Sequence, residues 1–341
     1  MTLTRVDIDL TEHQIRQRLA ADATRGLLAP RKVLPPKYFY DHRGSDLFEQ
    51  ITRLSEYYPT RLEHRILTDH ADEIVAATRP LTSLVELGSG SSVKTPLLLD
   101  AIYRKHGVAS YVPVDVSLHA LVSAVEDLRE RYPLLPIHGV VSDFERPLDL
   151  LPDHGPRLLA LLGGTIGNLA PECRAQFLSN LAGTLTPGEG LLLGVDLVKD
   201  RDRLVRAYDD AAGITRQFNR NMLNVLNRLL DGEFEPDRFD HVALWSEEDS
   251  WIEMRLRATE AMKVRLGVLD TTIAFEVGEE MRTEISTKFR RETLEPEFNE
   301  AGFQVAGWWA ARDESTPDEP IPDEPTGAAD GDYAVVLGVR S

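Results

Sequence analysis

Through the middle of the chain, short apolar runs alternate with stretches in which apolar residues recur every third or fourth position. Leu84-Val85-Glu86-Leu87 stops at Gly88, and Lys94–Lys105 then shows helical spacing. Tyr111–Val116 is a second run, with Asp115 near its end. Leu118, Leu121, Val122, Val125 and Leu128 follow at the spacing of one helix face. Ile137–Val141 leads to Asp143, Arg157–Leu162 leads to Gly163-Gly164, and another run lies in Gly190–Val198. Apolar strands alternating with helices predict a parallel sheet covered on both faces.

Two portions break this rhythm. Residues 1–60 read as helical and then loop-rich around Pro35-Pro36 and Pro59. Residues 199–287 open with one long helical pattern, Leu204 to Leu230, and turn β-rich in Trp251–Ala258 and Met262–Leu269. Together they predict one α+β accessory domain, 1–60 with 199–287, inserted into an α/β domain of 61–198 and 288–341. The alternation resumes with a helix over Pro296–Ala301 and strands near Phe303–Trp309 and Tyr333–Val339. That late strand pair suits an antiparallel hairpin at the sheet edge. Between its strands, Asp313–Asp332 holds eight Asp/Glu, four Pro and no Lys or Arg, which predicts a solvated loop.

Composition narrows the partners. The 341 residues carry a formal charge of −18, which argues against nucleic acid and against an anionic membrane surface. No apolar stretch approaches the length of a membrane span, and no secretory pattern opens the sequence, so a cytoplasmic protein is expected. The single cysteine, Cys173, excludes an internal disulfide framework and is expected to pack as a small residue. The nine His show no metal-binding spacing, so no metal is expected. Trp308-Trp309 read as sheet packing. Arg201, Arg203 and Arg206, beside Asp202, Asp209 and Asp210, read as a solvated helix face.

Chemistry concentrates at the strand ends. Glu86-Leu87-Gly88-Ser89-Gly90 places Gly-x-Gly between a strand and a helix, where backbone can approach a ligand; a bare tight turn would use the same residues. Val93 stands where a dinucleotide fingerprint needs a third glycine, so the pattern is closer to the first motif of class I methyltransferases using S-adenosylmethionine (SAM). Asp115, 25 residues beyond Gly90, could accept from a ribose diol, and Asp143-Phe144 could bracket an adenine. Each could equally serve as a turn or helix cap. Asn168, after Gly163-Gly164-Thr165-Ile166-Gly167, could fix an amino-acid head or cap the helix at Pro171.

Longer segments are more specific. Lys37-Tyr38-Phe39-Tyr40-Asp41, Gly44–Thr52 and Glu56–Arg61 resemble the N-terminal signature of the L-histidine Nα-methyltransferases of ergothioneine biosynthesis. Gly163–Leu169, Asp196–Asp200, Ala207–Gly213, Phe218–Asn221, Gly278–Ser286 and Lys288-Phe289-Arg290 extend the resemblance over almost the whole chain. It implies a class I, Rossmann-like methyltransferase that converts L-histidine to its trimethyl betaine, hercynine, with SAM as cofactor. By motif position it places SAM on Gly88, Lys94, Asp115, Asp143 and Phe144. It places histidine on Tyr57, Asn168, Tyr208, Met254, Glu284 and Ser286, with Tyr40 near the reacting amine. Asn168 and Tyr208 would meet the amino-acid head, Glu284 and Ser286 the imidazole. A monomer working between the two domains is expected. The acidic segment 313–332 lies outside every shared motif.

Methyl transfer from a sulfonium is an in-line displacement, so orientation is the enzyme's main contribution. The attacking amine must be neutral, which a dry pocket favours; Tyr40 or a water could accept its hydrogen bond. Taken from residue pattern alone, Glu284 could instead be a solvated strand residue. The same fold acting on another amino acid or a protein amine, or a non-catalytic metabolite-binding relative, remain alternatives at this level.

Overall fold

The computed structural model describes residues 4–107, 109–145, 155–313 and 331–341. In chain order these form β1 (Thr4–Ile8), α1 (Glu12–Leu27), β2 (Lys32–Val33), α2 (His42–Ile51), α3 (Tyr58–Ala76), β3 (Ser83–Leu87) and α4 (Thr95–His106). Next come β4 (Ser110–Asp115), α5 (Leu118–Arg131), β5 (Ile137–Val141), β6 (Arg157–Leu161), α6 (Pro171–Thr184), β7 (Gly190–Asp196), α7 (Arg201–Tyr208) and α8 (Ile214–Leu230). The remainder is β8 (Phe239–Ser246), β9 (Trp251–Ala258), β10 (Met262–Leu266), β11 (Thr271–Phe275), β12 (Glu280–Thr287), α9 (Arg291–Ala301), β13 (Phe303–Ala311) and β14 (Tyr333–Arg340). Two compact units result: Met1–Asp9, Tyr58–Lys199 and Thr287–Ser341 make the first, Leu10–Tyr57 and Asp200–Ser286 the second.

The first unit is built on an eight-stranded sheet of order β1-β5-β4-β3-β6-β7-β14-β13. Strands β1 to β7 of this sheet run parallel, and every residue of β3, β6 and β7 is buried, as strands covered on both faces require. The order reverses beside β3: the chain lays β4 and β5 on one side, then returns to lay β6 and β7 on the other. A crevice opens at such a reversal, beyond the carboxyl ends of the strands. This is the class I, Rossmann-like sheet the sequence predicts. The late hairpin also forms as expected, with β14 antiparallel to both β7 and β13 and β13 outermost. Most of the acidic segment 313–332 lies outside the described residues; at its ends Asp313 N donates to Asp332 Oδ2 at 2.7 Å.

Four expectations need correction. Thr4–Ile8 joins the large sheet through parallel pairing with Ile137–Val141, although residues 1–60 read as accessory. The strand is short and largely exposed, so its apolar pattern is faint. Helix α9 starts at Arg291, with Pro296 inside it; Leu294 and Phe298, four apart, keep one face buried across the proline. Cys173 on α6 is exposed, not packed. The long Leu204–Leu230 pattern is two helices, broken where Gly213 adopts φ 70°.

The second unit combines helices with a four-stranded sheet of order β2-β12-β9-β8 and a β10-β11 hairpin. Helix α8 has one strongly apolar face, including Phe218, Met222, Leu226 and Leu230, and packs on α1, α2 and β8. On β12, Met281, Thr283 and Ile285 alternate with Arg282, Glu284 and Ser286, so Glu284 and Ser286 share one face.

Candidate active site

In the first unit, two glycine loops flank the point where the strand order reverses. After β3, Gly88 and Gly90 take φ 67° and 49°, conformations costly for a residue with a Cβ. Gly88 N donates to Val114 O at 2.7 Å and Gly90 N to Asp115 Oδ2 at 2.8 Å, while Asp115 Oδ1 accepts from Ser117 N at 2.8 Å. Asp115 thus anchors the loop through both oxygens, and a carboxylate with about four lone-pair sites keeps further acceptor capacity. Burial pushes its carboxyl above the usual aspartate value. Glu86, also buried and raised by burial, accepts from Thr95 Oγ1 and Tyr111 Oη, both at 2.6 Å, and pins β3 to the start of α4.

A methyl group at Gly88 would meet Phe144 Cε1 at 3.3 Å, a tight contact, so the loop lies close against that ring. Phe144 packs edge-on to Phe177, with centroids 6.2 Å apart, and Asp143 beside it is buried. Gly88, Asp115, Asp143 and Phe144 therefore belong to one neighbourhood of strand ends. Within it, Ser89 Oγ is buried with no hydrogen-bond partner among the described residues, and space beside Gly90 is open. A buried hydroxyl without a partner is costly, and a polar ligand that supplies one fits there.

Lys94 is tied down by a residue that the sequence pattern does not mark. Its ammonium pairs with Glu63 of α3, a fully buried carboxylate that also accepts from Gly163 N at 2.8 Å and Tyr333 Oη at 2.8 Å. Glu63 thereby joins the loop after β3 to the loop after β6. Only its nearness to the shared segment Glu56–Arg61 could have flagged it; nothing local to α3 does. After β6, Gly163 and Gly164 take φ 78° and 74°, and a short 3-10 turn over Thr165–Asn168 follows. Asn168 does not cap α6, whose N-cap is Ala170 without a side-chain bond.

A second buried cluster sits at the end of β7. Asp196 accepts from Tyr58 Oη at 2.9 Å and pairs with Lys288 at 2.9 Å and with Lys199. Asp196, Lys199 and Lys288 stand in shared segments without an assigned task, and the structure gives them one: a buried ionic cluster in which one carboxylate holds two ammonium groups. Burial alone would raise Asp196, but the two ammonium groups outweigh it and hold the carboxyl below its usual value.

In the second unit, the residues placed by resemblance around histidine form a connected set. Tyr208 Oη donates to Ser286 Oγ at 2.7 Å. Tyr57 stands edge-on to Tyr208 at 6.3 Å and to Phe48 at 6.2 Å, and Phe48 meets Tyr40 at 5.6 Å. Tyr40 is half-buried between Phe48 and Phe218. Glu284 is partly exposed on the face of β12 that carries Ser286. Met254 lies in the buried row Ile252, Met254, Leu256 of β9, and its carbonyl lies 3.1 Å from Thr283 Oγ1. Asp210 departs from the expected solvated face: it is buried and accepts from Ile214 N and Thr215 N at the start of α8.

Among the described residues no group of His, Cys, Asp and Glu could hold a metal, and no helix is long and apolar enough to cross a membrane. Comparison with known proteins addresses the chemistry. Over 288 residues the chain is 53% identical to the histidine N-alpha-methyltransferase of Mycolicibacterium smegmatis, covering 84% of this chain and 89% of that protein. It is 51% identical over 284 residues to the protein of that name from Mycobacterium tuberculosis, covering 83% and 88%. The ergothioneine biosynthesis protein 1 of Neurospora crassa is 34% identical over 205 residues, 59% of this chain and 23% of that protein. The model of the family described as "Histidine-specific methyltransferase, SAM-dependent" matches residues 19–317, and the chain belongs to that family.

Proposed function

We propose that the protein methylates the α-amine of L-histidine three times with SAM, yielding hercynine for ergothioneine synthesis. The observation that carries this reading is the Tyr208–Ser286 hydrogen bond, which joins two segments assigned to histidine and leaves Glu284 on the same strand face. A carboxylate and a hydroxyl two residues apart on one face suit the two ring nitrogens of an imidazole. A site that pairs both nitrogens rejects amino acids lacking them, because its own polar groups would be stranded.

Gly88, Lys94, Asp115, Asp143 and Phe144 would hold SAM. The glycine loop, the Ser89 hydroxyl without a partner among the described residues and the Phe144 ring suit a ligand with polar and aromatic parts. When bound, SAM supplies a methyl group made electrophilic by its sulfonium. Asp115 retains acceptor capacity for ribose hydroxyls, and Phe144 offers an apolar edge to the adenine. Asn168 and Tyr208 would hold the amino-acid head, with Tyr57 and Met254 lining the pocket. Tyr40, set among Phe48 and Phe218, would accept a hydrogen bond from the amine in surroundings that disfavour its protonated form. A cytoplasmic setting suits the supply of SAM.

Mass spectrometry of the protein with SAM and L-histidine should show products one, two and three methyl groups heavier. Glu284→Gln exchanges a charged acceptor for a neutral one. A hydrogen bond to a charged group contributes about 1.5–3 kcal/mol, so kcat/KM for histidine should fall roughly ten- to hundredfold. Absence of any methylated histidine from the wild-type protein would sink the reading.

A further inference from the structure

A closed ring of hydrogen bonds surrounds the strand segment that carries Glu284. Thr283 Oγ1 on β12 donates to Asn219 Oδ1 of α8 at 2.6 Å. Asn219 Nδ2 lies 3.0 Å from Arg255 O and 2.8 Å from His241 Nδ1 on β8. His241 Nε2 lies 2.8 Å from Tyr208 O at the end of α7. Tyr208 Oη then returns to Ser286 on β12 at 2.7 Å.

Donor and acceptor roles around the ring are fixed by chemistry. A backbone carbonyl only accepts, so the Asn219 atom facing Arg255 O is its amide nitrogen. That nitrogen only donates, so His241 Nδ1 accepts and Nε2 carries the proton given to Tyr208 O. The ring therefore needs a neutral imidazole of one tautomer. Burial drives the His241 pKa below its ordinary value, against the opposing pull of the hydrogen bond to Tyr208 O and of Asp209 and Asp210; Arg216 acts in the same direction as burial. Asn219 is fully buried, and among the described residues its side chain bonds to none assigned to SAM.

We propose that Asn219 and His241 are positioning residues for histidine recognition, fixing Tyr208 and the Thr283–Ser286 stretch so that Glu284 and Ser286 address both imidazole nitrogens. The proposal rests on the histidine reading of β12 given above. It extends it by naming what holds the specificity residues in place, and it gives a task to the shared segment Phe218–Asn221.

The test uses the full chain and the variants Asn219→Ala, His241→Ala and His241→Gln. A glutamine can accept from Asn219 and donate to the Tyr208 carbonyl. Both alanine variants should raise the histidine KM about tenfold or more with kcat changed less than about threefold. S-adenosylhomocysteine affinity by calorimetry should stay at the wild-type value, and preference for histidine over phenylalanine should narrow. His241→Gln should recover most of the histidine KM. Folded variants with wild-type KM overturn the proposal, as does a joint loss in which KM rises while kcat and S-adenosylhomocysteine affinity both fall, without rescue by glutamine. Should the alanine variants not fold, long-range proton–nitrogen spectra of wild-type protein decide. A neutral Nε2–H imidazole, lost in His241→Gln, supports the ring, and any other tautomer overturns it. Wild-type protein that turns over no histidine removes the underlying reading, whereas wild-type turnover with unaltered variants removes only the positioning role.

Discussion

At Asp210 a single carboxylate closes the open end of a helix. It accepts from Ile214 N at 2.9 Å and Thr215 N at 2.7 Å, two of the N–H groups that the first turn of α8 leaves without a helical partner. Burial would raise its pKa, but these bonds outweigh burial and lower it from 3.8. The carboxylate therefore stabilises the fold above pH 3.8, and its contribution is lost as pH falls through the lowered value. Asp210→Ala should cost about 0.5–2 kcal/mol at neutral pH, the range for loss of a helix cap. Thermal melts should show the gap to wild type closing at acid pH; a gap that persists there contradicts the assignment. Charge spacing suggests a solvated face for Asp210 because it counts neighbours along a helix. It does not register the N–H groups freed where the helix breaks. The placement of Gly88, Asp115, Asp143 and Phe144 at strand ends was legible because it follows from position after an apolar run, which the pattern shows.

Elements of the large sheet were legible for the same reason. Strands β3 to β7 of the parallel sheet are buried on both faces and read as near-continuous apolar runs. Less visible is what one element demands of another. Gly194 lies mid-strand in β7, and a methyl group there would come within 1.9 Å of Glu63 Oε1 and 2.5 Å of Tyr333 Oη. Its small size makes room for the carboxylate that links the two glycine loops. Gly194→Ala should lower stability by about 1–3 kcal/mol, the usual cost of overpacking. Chemical denaturation reads this directly, and an unchanged midpoint would refute the close approach. Glu63 escaped notice because its partners Lys94, Gly163 and Tyr333 come from distant parts of the chain, where no periodicity connects them.

Across the whole molecule, stability against alkali carries the signature of one buried lysine. Burial lowers the Lys199 pKa from 10.5 to about 8, although Asp196 beside it pulls the other way. Between those values the unfolded chain holds a proton that the folded chain has released, so this group makes unfolding free energy rise with pH across that window. Lys199→Met removes the term. Paired melts from pH 8 to 10.5 should show wild type gaining on the variant, and a constant gap would rule out the lowered value. Two units could be inferred from the change of rhythm along the chain, but Lys288 joins Asp196 and Lys199 only through the fold. The outermost strand has a further consequence. β1 covers the hydrogen-bonding row of β5 along Ile137–Val141, and its Asp7 pairs with its own Arg5 and with His138 of β5. A chain trimmed past Asp9 would present β5 with its hydrogen-bonding row open, a template for other copies to extend.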